Sequence, residues 1–168
     1  DNAADPAYTG GAGGGNNLGA LASPNGGYGF GPWSFVLTGN GGAFIQTGGP
    51  SGYSFDMWNT GASGSTIGTR SFTSALASGE SFTFSLRLNG LNSGDTNRIT
   101  LQDSSGNVLF SYWHRGNEAN SGNGSYMDAN NTAGVATNFP YAYQSFQTFK
   151  FTLTSATTYT FSDLSSGG

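Results

Sequence analysis

Cysteine is absent from the 168 residues, so neither a disulfide framework nor a Cys-ligated zinc can hold this chain together. Charge is scarce: 8% of residues are Asp, Glu, Lys or Arg, against roughly 25% in an average soluble protein. The five cations, Arg70, Arg87, Arg98, Arg115 and Lys150, are scattered and the net charge is −4. Nothing in that distribution would draw a polyphosphate backbone, which excludes nucleic acid as a partner. Glu80 and Glu118 are the only glutamates and Lys150 the only lysine, so the Ala/Leu/Glu/Lys vocabulary of a helical bundle is missing. No run of about 18 apolar residues is available to span a membrane as a helix. The Gly-every-third-residue period of collagen is missing too.

Glycine and phenylalanine are abundant, with 29 Gly and 13 Phe, and aromatics reach 14%. High aromatic content with low net charge argues against charge-driven disorder. Period two dominates from about residue 30 onward. Within Ser81–Asn89, Phe82, Phe84, Leu86 and Leu88 alternate with Ser81, Thr83, Ser85 and Arg87, the pattern of a strand with one buried and one wet face. Ile99 and Leu101 alternate in Arg98–Gln102, and Phe149, Phe151 and Leu153 alternate with Lys150 and Thr152. Tyr159 and Phe161 repeat the pattern near the end. Asn107–Trp113 is more uniformly apolar and reads as a strand covered on both sides. Asp103-Ser104-Ser105-Gly106, which precedes it, has hairpin-turn chemistry. Weaker strand signals are Trp33–Leu37, Ala43–Gln46, Tyr53–Trp58 and Thr69–Ser74, separated by Gly/Asn-rich turns. Short strands at close spacing without any helical period predict an all-β, antiparallel, jelly-roll-like β-sandwich.

Two segments lack that regularity. Asp1–Gly29 is Gly/Asn/Ala-rich and is set apart as an N-terminal segment, an arm or exchanged strand, with the sandwich domain assigned to residues 30–168. Gly116–Asn138 reads as a long loop, with Tyr126 and Met127 as a short strand within it; loops of that length tend to be functional or modified. The start at Asp1 and the uncharged Ser/Thr/Asn/Gly surface favour a secreted, extracellular or cell-surface protein.

Chemistry is sparse. His114 is the sole histidine, no Gly-x-Ser-x-Gly elbow occurs, and a lone His at a strand end is structural or exposed more often than catalytic. Glu118 and Asp128 are the best remaining carboxylate pair for glycoside hydrolysis, but one-dimensional spacing cannot place them. The expectation is that the chain is not an enzyme, with no catalytic residue, cofactor or assigned metal. Asp1, Asn2, Asp5, Asp95 and Asn97 are oxygen-rich enough for calcium, yet no EF-hand loop is present and Asx turns explain them more simply. Trp33, Trp58 and Trp113 lie in apolar runs, where core packing is the default. Tyr126, Tyr141 and Tyr143 lie in loop-like sequence and are the candidates for stacking on a glycan. Asn123-Gly124-Ser125 and Asn130-Asn131-Thr132 match the N-x-Ser/Thr acceptor pattern, making Asn123 and Asn130 candidates for glycan attachment.

A resemblance adds to this reading. Asp1-Asn2-Ala3-Ala4-Asp5-Pro6-Ala7-Tyr8, then Gly26-Gly27-Tyr28-Gly29-Phe30-Gly31-Pro32-Trp33, resembles the opening of secreted bacterial PEP-CTERM and autotransporter-associated proteins. Ile99–Phe110 resembles the central hairpin of that group, and Phe151–Thr154 with Thr158–Phe161 its late strand pair. The resemblance implies an extracellular jelly-roll-like sandwich without an assigned reaction. Members of the group look longer, with further strands after the position of Phe161, so this chain is expected to lack a strand. A strand presenting four apolar side chains contributes roughly 6–12 kcal/mol gross, comparable to a domain's whole stability. A neighbouring copy supplying it would give strand complementation, and a head-to-tail contact that does not close makes a filament. Asp1–Gly29 and Thr157–Gly168 are the two candidate exchanged segments. The expected function is an extracellular structural subunit of a bacterial surface filament or matrix whose partner is itself, with glycans bound or attached. The alternative is a carbohydrate-binding module of a secreted enzyme.

Overall fold

The computed structural model describes residues 26, 28–50, 52–60, 63–88, 91–116, 123–140, 142 and 144–165. The described residues form eleven β-strands and no α-helix, and every pairing is antiparallel. The chain divides into two compact units, Asp1–Leu76 and Ala77–Gly168.

The first unit contains two ribbons. Strand β1 (Ser34–Thr38) pairs with β4 (Ser65–Thr69), and β2 (Gly41–Thr47) pairs with β3 (Tyr53–Asn59). Gly48 and Gly52, both at positive φ, close the β2–β3 turn, where a side chain would be strained. Ala43 and Ile45 are fully buried, with Trp33, Phe35, Tyr53 and Phe55 packed around them. The Trp33 ring lies 5.5 Å from Phe35 and 5.4 Å from Phe55. Gly68 lets the ribbons close: a Cβ there would sit about 3.0 Å from the Phe35 and Trp33 rings. Arg70 fixes the entry to β1. Its Nε donates to the Gly31 carbonyl at 2.9 Å and its guanidinium lies over the Phe30 and Trp33 rings, a cation–π arrangement. The fourth strand departs from expectation: the sequence pointed to Thr69–Ser74, whereas β4 ends at Thr69. Beyond it, Phe72 forms an isolated bridge with Phe30, and their rings lie 5.0 Å apart.

The second unit is a two-layer sandwich. One layer has the order β11-β10-β5 (Tyr159–Asp163, Gln147–Leu153, Ser81–Leu86). The other has the order β6-β7-β8-β9 (Thr96–Gln102, Val108–Arg115, Asn123–Asp128, Asn131–Pro140). The alternation seen in the sequence explains the first layer. Phe82, Phe84, Phe149, Phe151 and Phe161 form the inner face, while hydroxyls pair across the outer face, Ser81 with Thr152 at 2.9 Å and Ser85 with Thr148 at 2.8 Å. The layers meet through rings: Tyr112 to Phe149 at 4.8 Å, Phe110 to Phe161 at 4.9 Å and Phe110 to Phe151 at 5.3 Å, all tilted. These spacings and tilts are those that aromatic quadrupoles favour.

Strand β7 is covered on both faces over Phe110–His114, as its apolar run predicted, although Val108 and Leu109 are exposed. Trp113 lies beneath Gly134, whose positive φ and missing Cβ leave room for the indole. The β6–β7 turn follows the sequence reading closely. Asp103 accepts hydrogen bonds from the Ser105 and Asn107 backbone N–H groups and from the Asn107 side chain, and these bonds, that of the Asn107 side chain foremost, hold its carboxyl below the usual range. The largest correction concerns Gly116–Asn138. Instead of a loop with a two-residue strand, it contains β8 and most of β9. Strand β9 alternates poorly because it lies at a sheet edge and is bulged at two places against β8, between Asp128 and Tyr126 and again between Ser125 and Asn123.

Candidate functional site

The second unit pairs a three-stranded layer with a four-stranded one. Both β9 and β11 are edge strands, and among the described residues each has a single partner, β8 and β10 respectively. Between them lies a cleft of about 450 Å³, lined by Tyr126, Val135, Ala136, Thr137, Asn138, Phe139, Tyr159 and Phe161. The walls come from both layers. Phe161 and Tyr159 descend from β11, while Tyr126 on β8 and Val135 and Phe139 on β9 form the floor. Phe139 reaches 5.6 Å from the Phe161 ring and 6.0 Å from Phe149, so the cleft opens directly onto the core. Among the described residues, no Asp, Glu, Lys or Arg lines it.

The two edges differ. All five pairs of β11 with β10 are in continuous register, from Leu153↔Tyr159 to Phe149↔Asp163. Strand β9 is bulged twice, and the Phe139 N–H is turned back to the Thr137 hydroxyl at 3.1 Å. Bulges of this kind blunt an edge against pairing. Of the two edges beside the cleft, the regular, ladder-competent one is that of β11.

One polar tie crosses the layers beside the cleft. Tyr159 Oη on β11 donates a short hydrogen bond to Asp128 Oδ2 on β8. The other Asp128 oxygen accepts from the Asn130 and Asn131 N–H groups at 2.8 and 3.0 Å and from the Asn131 side chain at 3.3 Å. Desolvation alone would raise the Asp128 pKa, but the hydrogen bonds from Tyr159, Asn130 and Asn131 together hold it below the ordinary carboxylate range. Burial, and then the hydrogen bond to Asp128, push the Tyr159 phenol up. Asp128 thus has a structural role. Glu118, its expected catalytic partner, lies outside the described residues.

The remaining sequence candidates separate clearly. His114 is buried and its Nε2 lies 2.8 Å from the Tyr112 hydroxyl; a Cβ on Gly124 would collide with that phenol. Burial, and then the nearby Asp163, raise the Tyr112 pKa. Asp95 accepts from the Asn92 N–H at 3.0 Å while its own N–H donates to the Asn92 carbonyl at 2.9 Å, a reciprocal closure of the Asn92–Asp95 turn. Tyr126 lines the cleft, half-buried and stacked on Phe110 at 6.4 Å. Tyr141 and Tyr143 lie outside the described residues. A shallower hollow of about 280 Å³ involves Pro140, Ala142 and Phe146. There the Gln147 amide donates to the Pro140 carbonyl at 2.8 Å and accepts from the Ala142 N–H at 3.2 Å, pinning the loop. Of the two acceptor sequons, Asn123 sits within β8, flanked by the buried Gly124. Asn130 occupies the exposed β8–β9 turn, with Thr132 exposed beside it. The sequence did not point to the cleft, because its floor comes from the Ala/Thr/Asn-rich β9.

Fold and cleft together define an all-β protein whose second unit is an antiparallel, jelly-roll-like sandwich with one side open. No family model, curated protein or solved structure matches the chain.

Proposed function

We propose that this chain is an extracellular structural subunit of a bacterial surface filament or matrix, assembled when a second copy supplies a strand to the cleft beside β11. The observation that carries the reading is the three-over-four layering of the second unit, with a cleft lined by Val135, Phe139, Tyr159 and Phe161 where an eighth strand would lie. Eight strands in two sheets is the usual jelly-roll count. The cleft is of mixed polarity, with Thr137 and Asn138 beside the Tyr126, Phe139, Tyr159 and Phe161 rings, a lining suited to both the backbone and the side chains of an added strand. The regular β11 edge offers the backbone ladder and the cleft offers side-chain pockets, the two ingredients of strand addition. Phe161 of β11 is already committed to its own core, which favours Asp1–Gly29 over Thr157–Gly168 as the exchanged segment. The scarcity of charge and the resemblance to secreted bacterial proteins support an extracellular setting. Asn130, exposed at a hairpin tip, is the preferred glycan-attachment position.

Negative-stain microscopy and light scattering of the purified chain test this reading. Filaments or concentration-dependent oligomers are expected; a strict monomer at all concentrations contradicts it. A second reading, a carbohydrate-binding module, draws on Tyr126 in the same cleft. Retention on neutral or acidic polysaccharides by a monomeric chain would favour it over the first.

A further inference from the structure

We infer that copies of this chain also meet end to end: the β6–β7 hairpin tip of one seats Val108 and Leu109 in the hollow beside Pro140 and Phe146 of the next, with Asp103 facing Arg87. This goes beyond strand complementation, because it uses neither the outer edge of β11 nor the cleft beside it. Both surfaces belong to the second unit.

The strand registers put these surfaces at opposite ends of the sandwich. Gln102 pairs with Val108, Phe110 with Asp128 and Leu153 with Tyr159, and the Tyr159–Asp128 tie joins the layers at that end. Thr96 pairs with Arg115, Asn123 with Pro140 and Leu86 with Gln147, and the bond from the Gln147 amide to the Pro140 carbonyl joins the layers at the other end. At the hairpin end, Leu101 pairs with Phe110 and Gln102 with Val108, so Leu109 is the extra residue of a β-bulge, a device that re-aims a side chain. Leu109 is 53% exposed and Val108 beside it 42%. At the far end, the hollow of about 280 Å³ presents mainly apolar surface, with Pro140, Ala142 and Phe146 among its walls. Its buried carboxylate is held within the fold: Asp163 accepts from the Gln147 amide at 3.3 Å and from the Ser165 N–H at 2.8 Å.

Charge selects a second copy as the occupant. The hairpin end carries Glu80, Asp103 and Asp128 and, among the described residues, no Lys or Arg. The hollow end carries Arg115 and Arg87, and the Arg87 guanidinium lies 5.2 Å over the ring of Phe146, which lines the hollow. The described acids at that end are the buried Asp163 and Asp95, which is bonded into its own turn. An apolar contact ringed by opposite charges is the usual anatomy of an interface, and the charges fix its register. Tip and hollow are different surfaces, so the contact is heterologous and propagates into a filament when the rotation does not close.

The chain has no cysteine, so an introduced pair reports this contact without background. L109C and A142C alter exposed and half-buried positions, and circular dichroism and urea midpoints like those of the parent chain establish that both are folded. A disulfide forms only where Cα atoms come within about 7 Å. After mild oxidation with diamide, each variant alone should stay uncross-linked, the equimolar mixture should give a covalent 1:1 dimer, and L109C/A142C should give a ladder of multimers. R87E and high salt should each lower the yield several-fold, whereas V135R, on the cleft floor, should leave it unchanged. A mixture that cross-links no better than V36C with A142C overturns the inference. Covalent dimers from L109C alone or A142C alone also overturn it, since like ends would then meet. If V135R blocks assembly of the parent chain while L109C/A142C does not cross-link, this inference fails and the complementation reading stands; cross-linking together with an assembly that V135R does not weaken means the reverse.

Discussion

The two compact units use the same aromatic-and-glycine vocabulary to different ends. In the unit ending at Leu76, the described core narrows to Ala43 and Ile45 under a half-shielded ring of aromatics, and Val36 and Ile67, paired across β1 and β4, are 54% and 51% exposed. In the unit from Ala77, two sheets clamp a continuous stack of Phe and Tyr rings, and Phe110, Tyr112 and Phe149 are fully enclosed. Two-stranded ribbons are marginal without further layers, whereas two facing sheets can bury large rings from both sides. Among the described residues the second unit is thus the better-packed scaffold, and the cleft beside β11 is a localised feature of a well-formed core.

The largest expected effect comes from deleting a ring of that stack. Phe149→Ala should destabilise the second unit by about 3–5 kcal/mol, read as a lower urea midpoint by far-ultraviolet circular dichroism. Ile45→Ala, in the smaller core whose neighbours can relax inward, should cost about 2 kcal/mol. An equal loss at both sites would break the comparison.

How much of this was legible in the sequence divides along the same line. The strands of the second unit that face the core with alternating rings, β5, β10 and β11, could be read directly, because each is buried on one face only. Strand β7 could be read as doubly covered for the converse reason. The turn at Asp103–Gly106 was legible because its carboxylate and positive-φ glycine do local work. Strands β8 and β9 were not: Gly124 and Gly134 are present to make room for Tyr112 and Trp113, a tertiary demand that looks like loop composition in one dimension. The cleft was hidden with them, since half its floor comes from β9. The expectation of a missing strand came from resemblance and chain length; the layers of the second unit give the proposal a place to put that strand.

Gly134 sharpens the contrast between apparent loop and real strand. Gly134→Ala combines a strained positive φ with a Cβ placed 2.8 Å from the Trp113 ring, and should cost about 1–2 kcal/mol with a change in tryptophan fluorescence. A neutral result would mean that β9 does not hold Trp113 as described.

The Asp128–Tyr159 tie should have a smaller effect with a defined pH signature. Because the folded-state pKa of Asp128 is lowered, its contribution is present above the unfolded value of about 3.9 and is lost as pH falls through the folded value. Tyr159→Phe should cost about 1 kcal/mol near neutrality and should narrow the gap to the parent chain in acid, as followed by urea titration at several pH values. The smallest change, below about 0.5 kcal/mol, is expected for Val36→Ala on the exposed face of the first unit.

The central claim is that the second unit is left open beside β11 and that another copy closes it. Amide hydrogen exchange across β9 and β11, measured on the parent chain over a wide concentration range, tests it most directly. Protection should rise with concentration in Tyr159–Asp163, with a lesser rise in Val135–Phe139, while β6 and β7 stay unchanged. Protection at β11 that is complete in the dilute monomer and indifferent to concentration would contradict it.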